Sequence, residues 1–152
     1  SGVFRRKQSK VKFWDFGENF KKKFFNMKCG PTQELKVQSS KLNGRSIDSP
    51  IVEALGNDKP RIKLTISQFA WLLEQQPNGE DGFLLVSGYA NIFYVEDEGG
   101  TLWAVDALWS AGLGWYLNAY GFDGPLEWRT GSHVVSQFQD PQDLSSQEVQ
   151  TS

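Results

Sequence analysis

His133 is the only histidine in the 152 residues, so a His-rich metal site is excluded and His133 alone offers an imidazole general base. Ser132 precedes it, but adjacent side chains on a strand point to opposite faces, which rules the two out as a nucleophile and its base. Cys29 is the single cysteine; it allows neither an internal disulfide nor a cysteine metal cluster and suits a reducing compartment, the cytoplasm. A Cys29 and His133 dyad would need tertiary proximity. The plainer readings are an incidental strand histidine and an inert thiol near a helix end.

Asp106 lies mid-strand between Ala104 and Leu108 on its face, where burial would raise its pKa unless Arg129, Lys63 or backbone N–H groups pair it. Glu96, Asp97 and Glu98 supply oxygen ligands for a cation at a turn, or simply a solvated hairpin tip. The glycine clusters at 99–100, 112–114 and 121–124 lack the GxxxxGK[S/T] pattern of a phosphate cradle and read as turns. Catalysis therefore rests on one construction, a small hydrolase-like enzyme using Asp106 or His133 in a pocket of the sheet. No metal or cofactor is expected.

Binding is the stronger reading. Residues 1–29 hold nine Lys/Arg against two acids, and residues 30–152 hold seven against sixteen, so an arm of +7 leads a body of −9. The arm carries Arg5, Arg6, Lys7, Lys10, Lys12, Lys21 and Lys22 together with Trp14 and a series of phenylalanines. Three partners suit it: nucleic acid through phosphate contacts, an anionic membrane surface through an amphipathic helix, or the groove of a protein. The competing reading packs the phenylalanines on the chain's own domain and leaves the lysines solvated. In the body, Trp103, Trp109 and Trp115, with Tyr89, Tyr94, Tyr116, Tyr120 and Trp128, either grip a ligand ring or pair across strands as core. The expected function is thus non-catalytic recognition of a macromolecular partner by the basic, aromatic segment and exposed sheet aromatics.

These residues need elements to position them. Phe13, Phe16, Phe20, Phe24 and Met27 recur at helical spacing, predicting a helix from 13 to 27 despite Gly17 in its interior, stopped by Gly30-Pro31. A short strand at 34–38, a turn at Asn43-Gly44 and a helix with Ser49 as N-cap and Pro50 as its first residue follow. Thr65 or Ser67 caps a helix over about 66–76. From Phe83 onward, branched and aromatic runs separated by short turns predict four strands, or five if 83–86 is separate. Alternation puts Trp103, Val105, Ala107 and Trp109 on one face and Leu102, Ala104, Asp106 and Leu108 on the other. One face would take the 66–76 helix and the other the 13–27 helix.

The fold class expected is α+β, an antiparallel β-meander of four to five strands packed against one or two helices. It would occupy residues 11–139, between a disordered basic tail, 1–10, and a disordered polar tail, 140–152. No apolar run reaches membrane-spanning length, and the N-terminus lacks a signal's apolar core. The chain opens Ser-Gly rather than Met, as a tag remnant, a fragment or a processed product would. Residues 78–136, with GYANIFYVEDEGGTLWAV and GWYLNAYGF, resemble a small module of uncharacterised bacterial proteins. The resemblance implies a compact bacterial module and transfers no activity, cofactor or site residue.

Overall fold

The computed structural model describes Phe4 and residues 9–32, 35–56 and 62–137; the expected C-terminal tail and most of the expected N-terminal tail lie outside them. In chain order the elements are β1 (Phe13–Phe16), α1 (Glu18–Lys23), β2 (Val37–Lys41), α2 (Asp48–Ala54), β3 (Lys63–Leu64), α3 (Ile66–Glu74), β4 (Asn91–Glu96), β5 (Leu102–Ser110), β6 (Gly114–Gly121) and β7 (His133–Gln137). The strands form one seven-stranded mixed sheet in the order β1-β6-β5-β4-β7-β2, with β3 also paired to β4.

This corrects the expected meander. Only β4, β5 and β6 follow one another as antiparallel neighbours. The chain after β6 does not turn back as a hairpin, because β1 already occupies that edge in parallel register. Residues 122–132 instead cross to the far side of β4, where β7 pairs parallel to its first half and β3 parallel to its second. The strand expected at 34–38 runs from Val37 to Lys41 and closes the other edge against β7. Residues 83–86 form no strand.

The predicted 13–27 helix is also corrected. Phe13–Phe16 is a strand, and a register shift between Phe13 and Asp15 lets residues three apart both face inward. A bulge inserts one extra residue into a period of two, so it imitates the spacing of a helix turn. Gly17 is the N-cap of the six-residue α1 rather than a helix interior position. The strand can dock because of Gly114, where φ is 126° and a Cβ would lie 2.7 Å from the Lys12 carbonyl oxygen. Only glycine tolerates both conditions.

α3 forms where its cap predicts. The Thr65 hydroxyl accepts from the Gln68 backbone N–H at 3.1 Å, and the Gln68 side chain accepts from the Thr65 N–H at 2.9 Å. This reciprocal box satisfies two donors that a helix start otherwise leaves open. α2 starts at Asp48, two residues before Pro50, with Ile47 as N-cap in place of Ser49.

Both faces of the sheet are covered, though not as alternation suggested. Phe13, Phe16, Phe20 and Phe24 share one cluster with Phe69 and Leu73 of α3 and with Phe93, Val105, Leu117 and Val135 of the sheet. The N-terminal segment and α3 therefore cover the same face. The second face takes α2, Ile62 and Trp128 over Ile92, Tyr94, Ala104 and Val134.

Phe20 touches the rings of Phe4, Phe16, Phe24 and Phe69, with centroids 5.2–6.2 Å apart, and is fully buried. Phe20→Ala is expected to lower unfolding free energy by about 3–5 kcal/mol. Urea titration followed by far-UV circular dichroism measures this; a loss below about 1 kcal/mol would place the segment outside the cooperative core.

Candidate binding surface

The arm separates into an inner and an outer set of side chains. Phe4, Phe13, Phe16, Phe20 and Phe24 are buried and Phe25 is half-buried, while Lys10, Lys12, Trp14, Lys21, Lys22, Lys23 and Lys28 are exposed. Arg5, Arg6 and Lys7 lie outside the described residues. α1 ends on Lys21, Lys22 and Lys23, where positive charge complements the negative end of the helix. Lys21 meets Glu18 at 3.5 Å with both side chains solvated, an ion pair too exposed to neutralise much charge. Lys23 lies 5.8 Å from the Trp103 ring, and Asp97 and Glu98 stand across a shallow depression from Lys22 and Lys23.

The four candidate tryptophans divide sharply. Trp115 is fully buried and donates its indole N–H to the Gln76 carbonyl at 2.9 Å. Trp109 packs edge-on against Trp115 and lies on Gly79, whose φ of 70° and contact with the indole leave no room for a Cβ. Trp103 donates to the Asp97 carboxylate at 2.9 Å, and with the Thr101 amide this bond holds the Asp97 pKa below the usual carboxylate range. These three indoles serve the fold. Trp14 is 43% exposed on the edge strand β1 and stacks obliquely on Tyr116 of β6, with centroids 5.6 Å apart. Tyr116 stood in the aromatic set read from sequence but not among the candidate binding residues. Its pairing with Trp14 depends on β1 joining β6, which no local pattern announces.

The titratable candidates are kept apart. Asp106 pairs in register with Ile92, and His133 with Ile92's neighbour Asn91, so the two side chains occupy opposite faces of the sheet. No shared cleft joins them. Burial depresses the pKa of His133, with Lys41 adding to the effect, and its Nδ1 has no hydrogen-bond partner. The expected partners of Asp106 are both engaged elsewhere: Lys63 donates to Glu96 at 3.0 Å, and the Arg129 guanidinium lies 4.8 Å from the Tyr89 ring. Asp106 Oδ1 is consequently unpartnered, and burial pushes the carboxyl pKa up to about 7.

Asp48 is the contrasting buried carboxylate. Its Oδ1 accepts from the Tyr94 hydroxyl at 2.8 Å and the Trp128 indole at 2.9 Å, and its Oδ2 from the Asp123 backbone N–H at 2.9 Å. Burial and this neighbouring charge push the Tyr94 hydroxyl pKa far up. Asp48 pins the crossing segment 122–132 to α2 and β4. In sequence it was only the residue before a Ser-Pro helix start.

No helix among the described residues is long and apolar enough to cross a membrane. Among them, no group of three or more His, Cys, Asp or Glu side chains could hold a metal.

The raised pKa of Asp106 fixes the sign of a pH effect. The folded state keeps its proton up to about pH 7, whereas the unfolded chain releases it near 3.8, so stability falls as pH rises between these values. Asp106→Asn is expected to stabilise the protein by about 2–4 kcal/mol at neutral to mildly alkaline pH and by almost nothing at about pH 4. Urea unfolding of both proteins at the two pH values measures this. Compared with protein-family models, curated protein sequences and solved structures, the chain matches none.

Proposed function

We propose that this protein is a non-catalytic binding module whose basic surface over residues 10–28 takes single-stranded nucleic acid. Trp14 and Tyr116 serve as the stacking platform for a base, and Lys10, Lys12, Lys21 and Lys22 contact phosphates. The observation that carries the reading is the division of one segment into buried phenylalanines, solvated lysines and an exposed indole. A membrane-surface helix or a groove-docking helix requires a free apolar stripe, and here that stripe is spent on the core. What remains exposed is positive charge and an aromatic pair, the two elements of sequence-tolerant single-strand binding. Arg5, Arg6 and Lys7 add charge on the same side of the sequence. The site of action we infer is the cytoplasm, on the strength of the lone Cys29. We also keep, as a proposal, the kinship with a compact bacterial module that residues 78–136 suggest.

Fluorescence anisotropy with labelled oligo(dT) and oligo(U) tests the reading. Affinity should fall with added salt at a log–log slope of roughly −0.7 per phosphate contacted. Trp14→Ala should cost about 1–3 kcal/mol of binding through the lost stack. Lys21→Gln with Lys22→Gln should flatten the salt slope. Heparin bound as tightly as the oligonucleotides, with Trp14→Ala silent, would reduce the surface to a charge patch and overturn the base-stacking role. No binding at about 50 mM salt would overturn the reading altogether.

A further inference from the structure

The sequence holds two Asn-Gly pairs, Asn43-Gly44 and Asn78-Gly79, and the fold places them in opposite circumstances. In such a pair the glycine nitrogen can close on the asparagine side-chain carbon, because glycine has no Cβ to obstruct the approach. Closure requires that the nitrogen lose its proton, that the side chain swing toward it and that the backbone between them turn. Both asparagines are exposed, so access to water does not separate the pairs. Asn78-Gly79 is held on every count. The Gly79 N–H donates to the Gln76 carbonyl at 3.1 Å, and the Asn78 N–H donates to the Glu80 carboxylate at 2.8 Å. The Trp109 indole lies against Gly79, so the backbone cannot turn there without displacing a ring packed on the buried Trp115. Asn43-Gly44 lies instead in the bend after β2. Leu42 is fixed on one side by Gly131 and Ser132, and Ser46 on the other by Trp128. Between them the Gly44 N–H donates to no group among the described residues, and a Cβ built on Gly44 would meet nothing within 4 Å.

We propose that Asn43 is a self-modification site, at which the Gly44 nitrogen and then water convert the side-chain amide to a carboxylate. The deprotonated Gly44 nitrogen attacks Asn43 Cγ, the side-chain nitrogen takes up a proton and leaves as ammonia, and a succinimide ring joins the two residues. Water then adds to either ring carbonyl. Opening on one side gives an aspartyl residue in the original main chain, and opening on the other gives an isoaspartyl residue whose main chain runs through the side-chain carbon. The atoms balance with water as the only co-reactant. Either product makes the formal charge one unit more negative than −2. The new carboxylate arises two residues from Arg45, whose contact with Glu127 at 3.7 Å is solvated on both sides, and it competes for that guanidinium. At Asn78 the same chemistry is opposed by the bonded Gly79 N–H, by the packed indole and by the Glu80 carboxylate, which disfavours a second negative charge beside it. This inference stands apart from the nucleic-acid reading, since it uses none of the residues of that surface.

Incubation of the folded full chain in mildly alkaline buffer, sampled over days and followed by peptide mapping with mass spectrometry, tests the site. Position 43 should gain one mass unit at least about tenfold faster than position 78, the ratio in rate that one hydrogen bond represents. Aspartyl and isoaspartyl products should both appear at position 43, told apart by Asp-N protease, which cuts before the aspartyl form alone. Gly44→Ala is tolerated by the open space and by a φ outside the left-handed region, and it should slow position 43 severalfold because a Cβ crowds the attacking nitrogen. In concentrated guanidinium chloride the two positions should react at converging rates, since what protects Asn78 is the fold. Four results overturn the inference: an unmodified position 43 in the folded chain, a position 78 that reacts as fast, a rate indifferent to Gly44→Ala, or aspartyl product without isoaspartyl. A gap between the positions that persists in guanidinium chloride overturns its structural basis.

Discussion

The structure depends on one column of aromatic rings running from the N-terminal segment into the sheet. Phe4 meets Phe20 edge-on at 5.2 Å, Phe20 meets Phe69 of α3 at 6.2 Å, and Phe69 meets Phe93 of β4 at 4.7 Å. Each ring removes a large apolar area from water, and edge-to-face geometry adds to that gain. The column ties Phe4 and residues 13–24 to the sheet and α3. It also orients the residues over 13–24, where Trp14, Lys21, Lys22 and Lys23 lie between inward phenylalanines and point out. The exposed lysines and Trp14 are therefore placed by the phenylalanines.

The second face is organised by polar rather than apolar means. Asp48 collects three donors from β4 and from the crossing segment, and each bond to a buried carboxylate is stronger than one between neutral groups. Asp106, on the same face, has an unpartnered oxygen and a carboxyl that tends to stay protonated. The difference between the two carboxylates is local geometry: one faces indole, phenol and amide donors, the other faces Ile92, the Asn118 side chain and tyrosine rings. The first buried group stabilises the fold. The second weakens it at neutral pH.

Much of the local structure was legible. Thr65-x-x-Gln68 announced α3, and the apolar runs after residue 90 announced β4, β5 and β6. The Phe13 to Met27 spacing was read correctly as a buried stripe and wrongly as one continuous helix, since a bulge and a helix turn both return a side chain to the same face after three residues. The meander failed for a different reason. Short turns favour antiparallel neighbours, yet they say nothing about which edge a later strand will find taken. The exposed Trp14 and Tyr116 pair was illegible because its members are far apart in sequence.

Composition and spacing alone determined an aromatic-rich chain with a basic leading segment, because charge and apolar periodicity are properties of the residues in order. They also marked Asp106 as a carboxylate in need of a partner, since strand alternation places it among apolar neighbours. Only the tertiary structure decided that β1 and β7 enter in parallel, that both phenylalanine-bearing elements share one face, and that Lys63 and Arg129 are engaged elsewhere. Those outcomes depend on competition among distant groups for the same edges, faces and charges. A linear pattern ranks the contenders, and packing in three dimensions selects among them.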